Sequence, residues 1–597
     1  MKKLVDLYKK RKLQYNDKLL KANRLDDLLV LTRLVVGLAA IGLIVYRYFF
    51  EFDYFWVPLA ALICLFIVLL AFHRKVREQI RFLNNILEIN HSSILRLEGN
   101  WSSFKNDGSR FVKPDHRFSS DLNIYGRGSL FQYLNASFSP IGETCLAEML
   151  LEPGTLPSIN QRQEAVRDLT DRLEWRQHFQ ATGMDYALSQ KAADRLISWA
   201  ESSPLLITKF YSKILWILPL ATILFFVLWL RGIMPGYYCL GVLGVQVLVL
   251  LGNRRNISRG LNNAESNAAQ LKRVSVLLSY IEQESFKSEL LKNLQQKLFN
   301  GKTVSSRQIH TLARICDLVN LRYSQVFYII LNAIFLWDLL VLKLLEEWKL
   351  NSGLYLRSWF EVQAAFEALS SLAGLAHDNP NWIYPNIQGG PPLFQAKQLG
   401  HPLIHESIRV GNDVLLNKAG ALLLITGSNM SGKSTLLRSV GVNLVLAYAG
   451  APVCAGELQC SLLDIYTCLN VNDNLEEKTS TFYAELKRIK SLMEAANSGK
   501  KVMFLVDEVF RGTNSRDKII GARAIIKKLI TLQAIGFITT HDLELSVLQE
   551  EHQGFVRNYH FSEEIRDKQI IFDYKLKPGV SRTTNALALM QMIGIEV

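Results

Sequence analysis

Two long apolar runs lie close together early in the chain, at residues 34–50 and 54–72, separated by Glu51, Phe52 and Asp53. Each has the length a helix needs to cross the hydrocarbon core of a bilayer. A second pair, at 214–230 and 237–251, is joined by a turn holding Arg231, Gly232, Pro235 and Gly236. This patterning predicts two transmembrane helical hairpins, over 34–72 and 213–252; the alternative for each is a pair of buried core helices. A fifth run, 326–342, contains Asn332 and Asp338 and is followed by Glu346 and Glu347. Charge at membrane depth is costly, so a buried core helix is expected there. Elsewhere the period changes. Residues 262–299 space their apolar positions as a helix with polar faces does, whereas 421–425 and 502–506 are short, fully apolar runs of the kind that form buried strands. Residues 537–540 read as a further buried strand.

Flanking charge gives the hairpins an orientation. Lys and Arg crowd residues 1–33, and Arg74, Lys75, Arg77 and Arg81 follow the first hairpin. Lys209 and Lys213 precede the second, Arg254, Arg255 and Arg259 follow it, and the connecting loops hold only Arg231. The positive-inside rule then predicts a multi-pass protein of the cell (inner or plasma) membrane with its soluble parts in the cytoplasm. Arg47, near the end of its segment, can snorkel to the interface. The basic stretch 1–33 is expected to be a helix, either lying on an anionic inner leaflet or simply solvated. The formal net charge of +14 suits an anionic partner, nucleic acid or membrane face, without choosing between them. Seven cysteines form no C-x-x-C pair and no cluster with histidine, which argues against a zinc site or a disulfide framework and fits a reducing compartment. The first apolar run follows a long, mostly polar stretch, so no cleavable signal peptide is expected.

The candidate chemistry begins right after the apolar run 421–425. Residues 427–434 fit G-x-x-x-x-G-K-[ST]. A phosphate chain needs converging backbone N–H donors, and glycine lets the backbone approach closely. Gly427, Ser428, Asn429, Met430, Ser431, Gly432, Lys433, Ser434 and Thr435 are therefore the expected nucleotide-binding residues. Lys433 supplies a charge for the outer phosphates, Ser434 a hydroxyl for Mg²⁺, and the following helix a positive terminus. ATP and Mg²⁺ are the implied cofactors. Downstream, the strand 502–506 ends in Asp507 and Glu508, an aspartate able to hold Mg²⁺ and a glutamate able to act on the attacking water. The strand 537–540 ends in His541, a candidate γ-phosphate sensor whose bland alternative is a structural hydrogen bond. The Ser/Thr-rich stretches 479–482, leading into a helix with Glu485, and 511–517 are either functional loops or ordinary caps and turns.

In order, these motifs resemble the ATPase domain of MutS-family proteins: H-P-L-I at 401–404, Asn412-Asp413, I-T-G-x-N-M-x-G-K-S-T at 425–435, S-T-F-x-x-E at 480–485, D-E-x-x-R-G-T-x-S at 507–515 and T-H-x-x-E-L at 540–545. The Asn429-Met430 pair inside the phosphate loop is the most telling detail. Residues 572–576 with Pro578-Gly579 resemble the closing strand of that domain. Upstream, 128–135, Pro140-Ile141-Gly142, 151–153 and Ile159 with Arg162, Ala165 and Val166 resemble the start of the MutS core, and 366–373 with Tyr384-Pro385 its return.

The resemblance implies an ABC-class ATPase working as a homodimer. In it, the loop of Ser480, Thr481 and Phe482 completes the partner's nucleotide site in trans, Lys433 and Ser434 hold phosphate and metal, Asp507 holds Mg²⁺, Glu508 is the base and His541 the switch. It also implies DNA as a partner, bound as a mismatch or other structured DNA. No G-x-F-Y-E-like stretch is present, so no mismatch-recognition domain is expected, nor is a C-terminal dimerisation tail. The expected architecture is multi-domain, α and α/β. It comprises a basic N-terminal helix (1–33), hairpin 1 (34–72), a helical connector (73–117), the first part of a MutS-like core (118–212), hairpin 2 (213–252), core and lever helices (253–400) and the ATPase domain (401–597). Lys272, Arg273, Lys287, Lys292 and Lys297 read as a solvated face or as a DNA track. The other function classes that fit are an ABC-type transporter half, disfavoured by the absent L-S-G-G-Q signature and only four spans, and an ATP-switched membrane scaffold for a protein partner.

Overall fold

The computed structural model describes all 597 residues except 1, 51–53, 186–188, 206–207, 265–267, 301–302, 429, 470–480, 511–514, 567–568 and 582–597. Its first feature is a long helical hairpin, Lys2–Phe49 and Trp56–Leu97. The buried residues of the first helix are Tyr8, Tyr15, Ala22, Leu29 and Val36, one every seventh position. That heptad seam is the signature of coiled-coil packing, and it meets Val76, Leu83, Ile86 and Leu97 of the second helix. The basic stretch and the first apolar run are thus one helix. Residues 2–33 run without a break into the apolar stretch and form the first half of this helix. Beyond the seam the same helices turn apolar and exposed: Leu34, Leu38, Ile41 and Val45 are each more than half exposed.

The stalk docks back on the body. The Tyr8 hydroxyl donates to Asp378 Oδ1 at 2.6 Å, and Arg96 pairs with Asp378 Oδ2 at 3.2 Å. Asp378 is the last residue of the helix Leu356–Asp378, which is buried on nearly every face and packs against Pro140–Leu151 and Leu156–Thr170. Glu367 on this helix accepts from Phe138 N, Ser139 N and the Ser139 hydroxyl, which caps the helix Pro140–Leu151. The return of the core helix is so locked to its start.

The second apolar pair forms the helices Thr208–Leu230 and Tyr237–Gly252, joined inside by a 2.7 Å hydrogen bond from Gln246 Nε2 to Thr222 Oγ1. Trp216, Leu220, Leu240 and Leu248 stay largely exposed. Three described helices are long and apolar enough to cross a membrane, and up to five if each bent pair counts as one span. The fifth apolar run is divided. Leu336 takes a left-handed conformation (φ +53°) and breaks it into Gln325–Phe335 and Trp337–Ser352. The second piece is core, with Leu339, Leu342 and Leu345 wholly buried. The first packs on the second hairpin with Ile329 and Ile330 exposed, so a single buried helix over 326–342 does not form. Two of the basic residues of the middle region are paired: Lys272 with Asp317 at 2.6 Å and Arg273 with Asp185 at 3.2 Å.

The C-terminal part is α/β. Its six-stranded sheet runs, in spatial order, Lys577–Pro578, Val556–His560, Leu422–Thr426, Ile535–Thr540, Val502–Asp507 and Asp464–Cys468, all neighbours parallel except the first two. Alternate residues of its central strands pack to opposite sides: Leu423, Ile425 and Leu505 on the side of the helix Lys433–Ala449, and Leu422, Leu424 and Phe504 toward Thr481–Asn497 and Ser515–Thr531. A parallel sheet covered on both faces reads as continuous apolar runs, which is how these strands appear in the sequence. A second, four-stranded sheet packs alongside, built from Asn386–Gln388, Glu457–Ser461, Phe394–Leu399 and Asn412–Leu416. Asp121, buried, ties the segment before the helix Pro140–Leu151 to this domain by accepting from Thr467 Oγ1, Leu469 N and Arg488 NH1.

Candidate functional site

The loop after strand Leu422–Thr426 has to pass close to its neighbours. A Cβ on Gly427 (φ +152°) would lie 2.9 Å from Ser431 Oγ and 3.1 Å from the Phe561 carbonyl. One on Gly432 (φ +107°) would lie 3.1 Å from Tyr574 Cδ1. Both glycines are therefore required by backbone conformation and by space. Lys433 is buried at the start of its helix, and its ammonium donates to the carbonyls of Gly427 and Ser428, each at 2.8 Å. It also lies 3.3 Å from His541 Nε2. The hydroxyls of Ser428 and Ser431 are buried and make no hydrogen bond among the described residues.

Across the loop, the Ser434 hydroxyl donates to Asp507 Oδ2 at 2.7 Å. Glu508 Oε1 is 2.6 Å from His541 Nε2. Lys433, Ser434, Asp507, Glu508 and His541, from three separate stretches, thus meet at the C-terminal ends of adjacent parallel strands. Open α/β sheets bind their ligands at that edge. Glu508 and Phe510 both have left-handed backbone (φ +56° and +63°). Such strain persists where surrounding contacts over-determine it. Here Glu508 N donates to Thr539 O and Oγ1, and Phe510 N donates to the buried Glu485 carboxylate at 2.6 Å.

Sequence reasoning passed over Thr539. Its hydroxyl donates to Asp507 Oδ1 while accepting from Glu508 N, so it braces both acidic residues. The only signal was a hydroxyl at the end of an apolar strand. Tyr574 was quoted within a motif, but its approach to Gly432 depends on the chain returning from far downstream. A cleft of about 600 Å³ runs from Glu508, Ser434 and Thr435 to Ile408, Val410, Met430 and Tyr574. Its wall includes His401, whose Nδ1 accepts from Leu403 N at 3.2 Å; burial, with Arg438 and Arg409 nearby, pulls its pKa down to about 4. Asn429, Ser480 and residues 511–514 fall outside the described residues, as do the side chains of Thr481 and Phe482.

Charged ammonium, orphaned loop hydroxyls and a helix N-terminus converge on one cleft, and a hydroxyl–carboxylate pair flanks it. That donor set fits a polyphosphate with a divalent ion. Residues 423–596 match the family model described as MutS domain V, a P-loop ATPase domain. The C-terminal part of the chain is a MutS-type domain V. The DNA mismatch repair protein MutS of Chloroflexus aurantiacus is 32% identical over 248 residues, which cover 40% of this chain and 25% of that relative. The protein of the same description from Aquifex pyrophilus is 33% identical over 231 residues, 38% of this chain and 26% of the relative. The MutS match thus spans about a quarter of the length of these curated relatives.

Proposed function

We propose that this protein is a membrane-anchored MutS-type ATPase that couples ATP binding and hydrolysis to DNA binding. The observation that carries the ATPase reading is the convergence of Lys433, Ser434, Asp507, Glu508 and His541 on one cleft. In this reading the loop amides and Lys433 hold the phosphates, Ile408, Val410, Met430 and Tyr574 face the base, and Ser434 with Asp507 would hold Mg²⁺. The metal, when bound, neutralises charge on the phosphate oxygens. Glu508 takes the proton of the attacking water, and His541 fixes the Glu508 carboxylate by the 2.6 Å contact. Ser480, Thr481 and Phe482 would complete the partner's site in a homodimer.

The membrane part of the reading rests on the exposed apolar halves of the two hairpins and on the Lys and Arg that flank them. It places the ATPase domain in the cytoplasm. DNA is proposed because the matched relatives are described as DNA mismatch repair proteins and because the chain carries a net charge of +14. The test is ATP turnover by the detergent-solubilised protein with and without duplex and branched DNA, at low and moderate salt. We expect DNA to raise turnover and salt to weaken the effect. Turnover that vanishes in Glu508→Ala yet ignores every DNA would keep the ATPase and sink the DNA half of the proposal.

A further inference from the structure

The second hairpin has a crevice where it leaves its apolar stretch. The helix Tyr237–Gly252 bends by 61° into the helix that follows it, and the short helix Gln325–Phe335 packs across the bend. Between them lies a space of about 750 Å³, within the range of small-molecule sites. Its inner wall is apolar, with Val247, Leu250 and Ile329. Its mouth carries Arg254, which is exposed, and Arg322. One carboxylate is also present: Asp338 lies 3.5 Å from Arg322 Nε and accepts from the Tyr328 hydroxyl at 2.7 Å. Counting Arg254 and Arg322 against Asp338 leaves the lining with one net positive charge. Deeper in, Gln246 is buried and its Oε1 has no hydrogen-bond partner.

We infer that this crevice binds one anionic phospholipid, its phosphodiester at Arg254 and Arg322 and an acyl chain along Val247, Leu250 and Ile329. Three observations select that occupant. The apolar wall is continuous with the exposed apolar face of the hairpin, where Val247, Leu248 and Leu251 are each more than half exposed. The charged mouth sits at the end of that face, at headgroup depth if the hairpin spans the bilayer. The net charge of the lining matches a phosphodiester monoanion, and a basic pocket beside membrane helices is how acidic headgroups are held. The short helix that forms the outer wall presents Ile330 and Phe335 outward, as a helix lying in the interface does. The inference rests on the membrane anchoring proposed above.

Its test keeps the two apart. The full-length protein is reconstituted in phosphatidylcholine discs with a minor fraction of phosphatidylglycerol, and the lipid retained after exchange into neutral lipid is counted by native mass spectrometry. Arg322→Gln would strand Asp338, so Arg254→Gln and the crevice-filling Val247→Trp are the informative variants. Wild type should retain phosphatidylglycerol, and each variant should retain at least five-fold less, while all three resist alkaline carbonate extraction from membranes. Equal retention by wild type and both variants, or none by wild type, overturns the inference. Displacement of the lipid by excess inorganic phosphate also overturns it, because the mouth would then be an anion site without use for the apolar wall. Extraction of the wild type by carbonate instead overturns the anchoring, and the lipid site with it.

Discussion

At the scale of single residues, the acidic pair at the end of strand Val502–Asp507 should control turnover. Glu508→Gln keeps shape and hydrogen bonding but loses the base. We expect a fall in kcat of at least about 100-fold, the usual worth of a positioned base, with nucleotide affinity retained in a fluorescent-analogue titration. Thr539 touches no substrate in this reading; it positions Asp507 and Glu508. Thr539→Val removes two hydrogen bonds worth about 1 kcal/mol each. We expect about a tenfold loss in kcat with little change in KM, and partial rescue by Thr539→Ser. His401 carries a pH dependence. An unfolded histidine takes up its proton near pH 6.5, whereas in the fold burial delays this to about 4. Acid therefore favours the unfolded chain, and stability present above pH 6.5 is lost as pH falls toward 4. His401→Asn should flatten that part of the pH–melting curve, by roughly 1–3 kcal/mol at its acid end.

At the scale of elements, the stalk is held together by register. Its seam at Tyr8, Tyr15, Ala22, Leu29 and Val36 works only at seven-residue spacing. A single alanine inserted between Lys18 and Leu19 would rotate everything before it by about 100° and carry Tyr8 away from Asp378. We expect the stalk base to become sensitive to limited proteolysis, whereas Tyr8→Phe, which loses the hydroxyl's hydrogen bonds with Asp378 and His377, should cost only about 1–3 kcal/mol. The heptad was present in the sequence but passed unread, because the charged residues between its positions read as a basic helix. Likewise the apolar run 326–342 gave no sign of its break. Leu336 adopts the left-handed turn because Asn332 and Asp338 bond across it, Asp338 N donating to Asn332 Oδ1 at 3.0 Å. Asp121 is joined to the helix Thr481–Asn497 through Arg488 at 2.8 Å. Asp121 is buried and also accepts from Thr467 Oγ1 and Leu469 N; Asp121→Ala removes these hydrogen bonds at about 1 kcal/mol each and should lower the melting temperature more than any exposed-charge substitution.

At the scale of the molecule, the first hairpin and the core helix Leu356–Asp378 meet at Asp378, through Tyr8 and Arg96. The topology is directly measurable. A reporter cysteine at Ile233, with Cys64 and Cys239 replaced by serine, should react with a membrane-impermeant maleimide added outside intact cells. One at Ser498 should not. Labelling of Ser498 from outside would reverse the proposed orientation.

Chemistry confined to one contiguous stretch could be read without the fold. The glycines, lysine and serine of 427–434 and the Asp507-Glu508 pair stand at offsets that phosphate and metal binding demand, and apolar runs follow from backbone satisfaction in strands and lipid-length helices. What only the tertiary structure decided are relations between distant segments. Tyr8 meets Asp378, Thr539 braces Asp507 and Glu508, Tyr574 closes on Gly432, and Arg254 and Arg322 share one crevice. Each depends on where helices and strands cross. Crossing is set by side-chain packing across the whole core, which no local pattern of hydrophobic and polar positions encodes.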